Sequence, residues 1–368
     1  MTPKRKILRS PEIAGRLRGL RASLRERGCD ALLVTKRTNV RYLSGFTGSN
    51  GWLLVKRHSA LLVTDSRYEE QAGDEVREAT LLIAGQERLS DALLRVGALK
   101  GAEALCFEAE DVSVALHGTL KKTFKGSALH PLTGIVESLR EKKSPLELAS
   151  LRNAVDVVET VLRDILSDLR PGVSEQSIAA RISYRLREAG ADGDAFDPIV
   201  LFGPRTSLVH GTPGPHRLKR GQPILMDIGC KVKGYCSDIT RTFILGRASK
   251  RFRAAYDQLQ RVQQAARDAV REGVAARTLD ALTREGLAES GMDTYFGHAL
   301  GHGLGLDVHE TPVLSSRSER LLEAGQIVTI EPGVYFPGEF GIRIEDDVLV
   351  QREGSESITR FPRELMEL

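Results

Sequence analysis

Four acidic residues lie inside strand-like apolar runs in the second half of the chain, and they constrain its fold more than any other feature. These residues are Asp227, Asp238, Glu331 and Glu345. Asp227, for example, interrupts the apolar run Ile224–Gly229. A buried, ionised carboxylate without a partner costs many kcal/mol or takes up a proton. The fold must therefore supply each of these acids with a positive partner.

The first two acids are expected to lie opposite each other in a β-hairpin. If Val232–Lys233 forms a two-residue turn, Asp227 faces Asp238 across the two strands. Like charges in that position destabilise a sheet, so a positive group should lie between them. If the second pair of strands packs against this hairpin, all four acids can converge on a divalent metal site. The alternative is two separate carboxylate–arginine salt bridges, which would use Arg241 and Arg343.

Histidines cluster between the two predicted hairpins. His298, His302 and His309 fall within the glycine-rich segment Phe296–Glu310, although the whole chain has only 8 histidines. A further histidine, His210, lies in a loop ahead of the first hairpin. The glycines allow close backbone approach to a site, but their spacing does not match a phosphate-binding loop. A single histidine is usually a structural residue of the core, but this cluster lies beside four acids in apolar strands and is not a single histidine.

The chain is predicted to contain two domains. Up to about residue 143, helical and strand-like patterns alternate, which is typical of a compact α/β domain. Ser144, Pro145 and Glu147 then form the sequence signature of a capping box, and a long amphipathic helix follows. Beyond it, helices and strand pairs alternate twice, which predicts an α+β domain. We therefore expect domains at residues 1–143 and 144–368.

Composition excludes several classes of protein. The 53 Lys and Arg residues against 49 Asp and Glu residues give a net charge of only +4, without the clustering that nucleic-acid binding requires. No run approaches the ~18 apolar residues of a membrane span. The basic start Met1–Lys6 is expected to be a solvated tail. The 4 cysteines fit no zinc motif, and we expect reduced thiols in a cytoplasmic protein.

Taken together, these motifs resemble the pita-bread metallopeptidases, in the branch of Xaa-Pro aminopeptidases and prolidases. The resemblance covers essentially the whole chain. It rests on His210 with Pro213, Asp227, Asp238 within Ser237–Thr242, the three clustered histidines, Glu331-Pro332-Gly333 and Arg343-Ile344-Glu345. It implies a creatinase-type N-terminal α/β domain followed by a pita-bread catalytic domain. That catalytic fold is a curved antiparallel sheet with helices and a pseudo-two-fold repeat.

The resemblance also implies a ligand set for two divalent metal ions. The ligands would be Asp227, Asp238, His302, Glu331 and Glu345, with Asp238 and Glu345 bridging both ions. Four carboxylates balance the charge of two dications. Oxygen-rich ligation with a single imidazole favours Mn²⁺, with Co²⁺ and Zn²⁺ as alternatives.

By the same resemblance, the chain would hydrolyse the Xaa-Pro bond at the N-terminus of peptides, through a water activated by the two metal ions. His309 and His210 would donate hydrogen bonds to the substrate or to the tetrahedral oxyanion, and Glu331 would carry a proton to the departing nitrogen. His298 and Arg343 would orient substrate and ligands, or serve only as structural residues around them. Peptides with proline in the second position are the expected partners, and a homodimer is the expected assembly.

Several related functions compete with this one. The nearest alternative is a prolidase, which cuts only Xaa-Pro dipeptides. The segments Phe46–Gly51 and Thr64–Tyr68 favour the aminopeptidase branch, although Ser66 departs from the glycine usual there. Methionine aminopeptidases generally lack the first domain, and a creatinase-like enzyme would lack this metal set. A catalytically silent relative that binds protein partners would typically have lost ligands that this chain retains.

Overall fold

The computed structural model describes residues 7–368. The chain divides into two compact units, Met1–Arg140 and Glu141–Leu368. The basic segment Met1–Lys6, expected to be a solvated tail, lies outside the described residues. Within residues 7–368, no helix combines the length and the apolar character needed to cross a membrane.

The first unit is a mixed six-stranded sheet with helices packed on it. Its helices are α1 (Pro11–Glu26), α2 (Arg37–Ser44), α3 (Glu69–Glu75), α4 (Leu89–Arg95), α5 (Val114–Thr123) and α6 (Glu137–Arg140). Its strands are β1 (Ala31–Val34), β2 (Gly51–Lys56), β3 (Ala60–Thr64), β4 (Thr80–Ile83), β5 (Ala104–Glu108) and β6 (Ala128–Leu132). The strand order is β4-β3-β2-β1-β5-β6. The strand pairs β1–β2 and β2–β3 are antiparallel and the other three pairs are parallel, which confirms the predicted α/β domain.

Helix α1 shows how local sequence determines this unit. Ser10 caps the helix through its side chain, which accepts a hydrogen bond from the Ile13 amide, and Pro11 occupies the first turn. The apolar residues at helical spacing are all buried: Ile13, Leu17, Leu20 and Leu24. The predicted helix between Pro11 and Gly28 is therefore confirmed.

The first unit also contains a disulfide bond, between Cys29 and Cys106. Cys29 lies just before β1, and Cys106 lies on β5, which pairs with β1 in parallel. This pairing brings their Cα atoms to 6.0 Å, within the usual disulfide range of about 4.4–6.8 Å. The prediction of four reduced thiols is therefore wrong for this pair, whereas Cys230 and Cys236 are free and buried. Reduced cysteines no longer support a cytoplasmic location.

The second unit repeats one arrangement, a helix pair packed on antiparallel strands. Its helices are α7 (Pro145–Ile165), α8 (Glu175–Glu188), α9 (Lys250–Asp268) and α10 (Ala276–Ala288). The strands of its first half are β7 (Gly193–Asp194), β8 (Ile199–Phe202), β9 (Pro223–Ile228), β10 (Cys230–Val232), β11 (Tyr235–Cys236) and β12 (Ile239–Ile244). Those of its second half are β13 (Gly301–Gly303), β14 (Glu310–Leu314), β15 (Ile327–Ile330), β16 (Gly333–Phe336), β17 (Phe340–Arg343), β18 (Asp346–Val350) and β19 (Ser355–Ser357). Short 3₁₀ helices occupy Ser66–Tyr68, Leu166–Asp168, Gly203–Ser207 and Asp293–Tyr295.

Each helix pair of the second unit has its own apolar core. Helices α7 and α8 pack with β8, β9 and β12, around buried side chains such as Leu162, Ile182 and Met226. Helices α9 and α10 pack with β15 to β18, around Leu259, Leu279 and others. The sheet orders are β12-β9-β8 and β14-β13-β15-β18-β19, with smaller sheets β11-β10-β7 and β16-β17. The doubled α+β architecture predicted from the sequence is confirmed.

The predicted capping box begins α7. The Ser144 side chain accepts from the Glu147 amide, and the Glu147 carboxylate accepts from the Ser144 amide. Both contacts satisfy backbone donors that the first helical turn leaves free. The helix then runs to Ile165 and buries one apolar stripe against the strands.

The first hairpin differs from the prediction in its register. Strands β10 and β11 close around a Lys233–Gly234 turn, in which both residues have positive φ, at 50° and 77°. Asp227 on β9 therefore faces Thr240 on β12. The prediction that Asp227 faces Asp238 is wrong, because the turn lies one residue later than expected. Asp238 instead lies in the interruption between β11 and β12.

The second strand pair is interrupted at its acidic residues. Strand β15 pairs with β18, and β16 pairs with β17, so that two short ladders replace one continuous hairpin. Glu331 lies between β15 and β16, and Glu345 lies between β17 and β18. Both carboxylates thus sit where regular pairing stops and the backbone can turn a side chain toward a common site.

Candidate metal centre

Three side chains converge closely enough to hold a metal ion. One ligand atom each from Asp238, His302 and Glu345 lies within 4.8 Å of the other two. Asp238 and Glu345 come from the interruptions in the two halves of the unit, and His302 comes from β13. The convergence of two carboxylates and one imidazole is a ligand set typical of divalent cations.

Two more acids lie at the same place. The His302 Nε2 atom is 3.4 Å from the Glu331 Oε1 atom and 3.8 Å from the Asp238 Oδ2 atom. Asp227 approaches from β9, and its Oδ2 atom accepts a hydrogen bond from Arg343 Nη2 at 2.5 Å. The five residues expected to bind metal therefore share one site.

These side chains line a cavity of about 540 Å³ in the second unit. The other four residues predicted for the site also line it: His210, His298, His309 and Arg343. His210 and His309 are exposed, whereas His298 is half-buried. Apolar side chains complete the wall: Phe196, Pro198, Ile199, Val209, Val308 and Val313. The cavity thus offers a polar floor beside an apolar wall, as small-molecule and peptide sites usually do.

Three acids of the site, Asp238, Glu331 and Glu345, resist ionisation when no metal ion is present. Burial raises the pKa of Glu331 to about 8, and repulsion from Asp227 adds to the effect. Burial together with repulsion from Glu345 raises the pKa of Asp238 well above its usual range, and the pKa of Glu345 is raised in the same way. Like charges this close cannot all ionise without a positive partner.

His302 is oriented as a metal ligand needs to be. Its Nδ1 atom is 3.0 Å from the Gly303 carbonyl oxygen, so a proton on Nδ1 is held there. The Nε2 lone pair then points toward the acids, which is the usual arrangement of a ligating histidine. Burial lowers the pKa of His302 to about 4, so the imidazole is neutral at physiological pH.

The residues present fit a dinuclear metal centre. One oxygen each of Asp227 and Asp238, the Oδ1 atoms, is buried and has no hydrogen-bond partner. Such orphaned carboxylate oxygens are rare unless an ion or water completes them. Two divalent cations would balance the four carboxylates and remove the repulsion that raises the pKa values of Asp238, Glu331 and Glu345.

The salt-bridge alternative holds in part. Arg343 pairs with Asp227, as that alternative requires. Arg241 instead pairs with Asp346 at 2.7 Å and donates to the backbone oxygens of Glu345, Phe361 and Pro362. Arg241 therefore fixes the chain on both sides of the site, and its side chain contacts Asp346 and backbone oxygens rather than the Asp238 or Glu345 carboxylate.

Two threonines and one tyrosine, which sequence reasoning missed, contact the candidate ligands and the residues around them. Thr240 donates to the Glu345 carboxylate at 2.7 Å, and Thr329 Oγ1 is 3.2 Å from the Glu331 carboxylate. The Tyr335 hydroxyl contacts Arg343 at 2.7 Å and His298 at 3.0 Å. The one signal in the sequence was spacing, because Thr240 and Thr329 each lie two residues from a predicted ligand. These contacts fix the orientation of the ligands.

This fold and site define a class of protein, and comparison with known families identifies it. The model of metallopeptidase family M24 matches residues 149–352, and that of the creatinase/prolidase N-terminal domain matches residues 16–142. The chain therefore belongs to metallopeptidase family M24 and carries a creatinase/prolidase-type N-terminal domain. The predicted pita-bread fold is confirmed.

Individual relatives cover nearly the whole chain. An uncharacterised peptidase of Bacillus subtilis, YqhT, is 37% identical over 95% of this chain and 99% of its own length. The structure of an Xaa-Pro dipeptidase from Bacillus anthracis is 36% identical and superposes with a TM-score of 0.93, covering 97% of this chain and 100% of that one. An X-Pro aminopeptidase from Thermotoga maritima is 34% identical, with a TM-score of 0.89 over 94% and 100% of the two chains.

Proposed function

We propose that the protein is a metal-dependent exopeptidase that hydrolyses the Xaa-Pro bond at the N-terminus of peptides, with its catalytic domain in residues 144–368. The observation that carries this proposal is the convergence of Asp238, His302 and Glu345 ligand atoms within 4.8 Å of one another. They line a cavity large enough for a short peptide. Membership of a metallopeptidase family supports the same function.

The site would hold two divalent ions, with Mn²⁺ favoured by its oxygen-rich ligands. Asp227, Asp238, His302, Glu331 and Glu345 would hold the ions, and Asp238 and Glu345 would contribute charge to both of them. When bound, two such ions lower the pKa of a water molecule and polarise the carbonyl group that it attacks.

The remaining polar residues would bind substrate and move protons. His210 and His309 lie exposed on the cavity wall, where each can donate a hydrogen bond to a substrate carbonyl or to the oxyanion that develops from it. Glu331 would deliver a proton to the departing proline nitrogen. Burial lowers the pKa of His298 to about 4, so His298 stays neutral and orients the Tyr335 hydroxyl.

The hydrogen bonds that Arg343 already makes favour substrates longer than a dipeptide. In an Xaa-Pro dipeptide the proline carries a free carboxylate, and that group needs a cation. Among the described residues that line the cavity there is no lysine, and Arg343 is the single arginine. Its guanidinium already donates to Thr240, Tyr335 and Asp227 and is only 3% exposed. A peptide that continues beyond proline has no carboxylate at that position and needs no cation there.

A prolidase is the second candidate. The observation that favours it is the similarity over almost the full chain to a structure named as an Xaa-Pro dipeptidase. A second similar structure is named as an X-Pro aminopeptidase, so the names of relatives support both activities. Either enzyme would use the same metal ligands.

A panel of three peptide types distinguishes these candidates. We expect higher kcat/KM for Xaa-Pro-Xaa tripeptides than for Xaa-Pro dipeptides, and no cleavage when alanine replaces proline. The ratio of kcat/KM values measures differential binding of the transition states. A tenfold or greater advantage for dipeptides, equivalent to about 1.4 kcal/mol, would make the protein a prolidase. Absence of cleavage in all three peptides by the metal-loaded enzyme would contradict the proposed function itself.

A further inference from the structure

A buried ion pair lies in the second unit, outside the residues that line the cavity. Lys143 Nζ is 3.1 Å from Glu310 Oε2, and the two side chains are only 1% and 7% exposed. The same Nζ atom donates to the Glu141 carbonyl oxygen at 3.1 Å. Buried lysines are rare, and burying such a pair carries a large desolvation cost. A pair of apolar side chains would carry a smaller desolvation cost. The contacts that these two charged groups make therefore indicate what the pair does.

Glu310 holds the loop that connects β13 to β14, residues 304–309. Its Oε1 atom accepts a hydrogen bond from the Asp307 amide at 3.1 Å. Gly303 and Glu310 pair at the base of this loop. A Cβ atom on Gly305 would lie 2.5 Å from both Glu310 carboxylate oxygens, so the carboxylate fills the space that glycine leaves. Lys143 therefore anchors the group around which the loop is folded.

His309 lies at the end of this loop, and His302, a candidate metal ligand, lies just before its start. The rings of His302 and His309 pack edge to face with centroids 4.4 Å apart. His309 is itself exposed, so its position depends on the backbone of the loop that carries it. A shift of the loop would move His309 relative to the cavity floor.

A second contact from the same short segment restrains the chain just after this loop. The Glu141 carboxylate accepts hydrogen bonds from Thr311, Arg320 and Gln326, each at 2.9 Å. The Lys143 amide donates to the Gly325 carbonyl oxygen at 2.8 Å. The segment Glu141–Lys143 is thus fixed to β14 and to the start of β15, and Lys143 extends from a rigid base.

We propose that Lys143 and Glu310 are positioning residues, which hold the loop 304–309 so that His309 points at the substrate. The step from loop to catalysis rests on the proposed function, in which His309 contacts substrate. A displacement of even about 1 Å at such a group can cost on the order of 100-fold in rate. The contact between Lys143 and the loop does not depend on the function and can be tested separately.

Hydrogen exchange of the metal-loaded protein tests the contact without any assay of activity. In Lys143→Met, we expect the amides of residues 304–310 to exchange at least tenfold faster than in the wild type. The matched control is Lys142→Met, which removes the neighbouring lysine, whose side chain is 56% exposed and pairs with Glu323. Equal protection of the loop in both variants would overturn the proposal, whether or not the protein hydrolyses Xaa-Pro bonds.

A double-mutant cycle tests the consequence for catalysis. We expect Lys143→Met to lower kcat at least tenfold with little change in KM, because the lost contact acts in the transition state. In a His309→Ala background the same substitution should have no more than a twofold further effect. Effects of Lys143→Met that multiply fully with those of His309→Ala would show that Lys143 does not act through His309.

The paired variant Lys143→Met/Glu310→Gln guards against loss of folding. Lys143→Met alone removes the cation beside a buried carboxylate, whereas the paired variant removes both buried charges. This variant should therefore unfold at nearly the wild-type temperature and bind as much metal, yet keep the reduced kcat. Wild-type kcat in this variant would overturn the proposal, because the loop would then be positioned without the ion pair.

Discussion

At the scale of single residues, the candidate ligands and the exposed histidines are expected to have separable roles. Asp238 is buried, lies against Glu345 and His302, and keeps one oxygen without a hydrogen-bond partner. His210 lies on the exposed wall of the same cavity. We therefore expect Asp238 to hold metal and His210 to contact only substrate.

Asp238→Asn is therefore expected to lose metal, whereas His210→Ala should keep it and turn over more slowly. The asparagine removes charge that would otherwise be shared by two ions. The loss in kcat for His210→Ala should be on the order of 100-fold, the usual effect of losing one donor to a developing oxyanion. Elemental analysis of both variants, with kcat measured in parallel, checks the pair. Equal loss of metal in both would place His210 among the ligands.

The raised pKa values predict that metal binding releases protons. Burial raises the pKa of Glu331 to about 8, and those of Asp238 and Glu345 are raised as well, so the metal-free site holds protons at pH 7. A cation must displace them. Affinity for Mn²⁺ should therefore increase as pH rises toward 8, by up to about tenfold per pH unit for each proton released.

Calorimetric titration with Mn²⁺ at pH 7 measures this release directly. In two buffers with different ionisation enthalpies, the observed binding heats should differ. The difference should correspond to uptake by the buffer of on the order of one proton per metal site. Identical heats in both buffers would show that the site is already ionised before the metal arrives.

At the scale of elements, strand β13 has room for no side chain at its first residue. A Cβ atom on Gly301 would lie 2.0 Å from the Thr329 carbonyl oxygen on β15, a backbone atom that cannot move aside cheaply. His302 is the next residue, and its amide donates to the Thr329 hydroxyl at 3.1 Å. The close approach of the two strands thus determines where the imidazole lies.

We expect Gly301→Ala to weaken metal binding and to lower the free energy of unfolding by about 1–3 kcal/mol, the usual cost of overpacking. The matched control is Gly297→Ala, since a Cβ atom there meets nothing within 4 Å. Metal content and denaturant unfolding of both variants give the comparison. Full metal content in Gly301→Ala would show that β13 can shift without displacing His302.

Elements whose signals are local could be predicted from the sequence, and contacts that depend on distant residues could not. The stripe of α1 and the capping box of α7 are encoded within a few residues. The turn of the first hairpin was misplaced because Lys233 adopts a positive φ that is uncommon for lysine. The disulfide joins residues 77 positions apart, and no local pattern indicates that β1 and β5 are neighbours.

The candidate site shows the same division. Acids inside apolar runs can be recognised as site residues from the sequence, because burying a carboxylate without a partner costs free energy. Thr240 and Tyr335 cannot be recognised in this way, since a buried threonine or tyrosine is common in a strand. Their contacts with Glu345 and Arg343 arise only when β12, β16 and β17 pack together.

At the scale of the whole molecule, metal is expected to stabilise the second unit and to be required for activity. The candidate ligands come from both halves of that unit, so ions bound there would link β9, β13, the interruption between β11 and β12, and the two interruptions near β16 and β17. A ligand that binds only the folded state adds about 2.7 kcal/mol at 100 times its dissociation constant.

Dialysis against a chelator should therefore abolish peptidase activity and lower the unfolding temperature, and Mn²⁺ or Co²⁺ should restore both best. Mg²⁺ at the same concentration is the control, because it prefers to keep its own water ligands. Full activity of protein shown by elemental analysis to contain no metal would contradict the dinuclear assignment.

The contacts of Arg241 have a consequence for biosynthesis. This residue joins β12 to the chain around Glu345, Phe361 and Pro362. The Ile244 amide donates to the Met366 carbonyl oxygen, and the Leu368 amide donates to the Ile244 carbonyl oxygen. A chain that is still being translated has therefore made Asp227 and Asp238 before Glu345, Phe361 and Pro362, the residues that Arg241 joins to β12. The first unit can fold as it emerges, but the candidate ligand set is complete only once Glu345 has been made, so we expect the nascent chain to take up metal only after the second half of the second unit has folded.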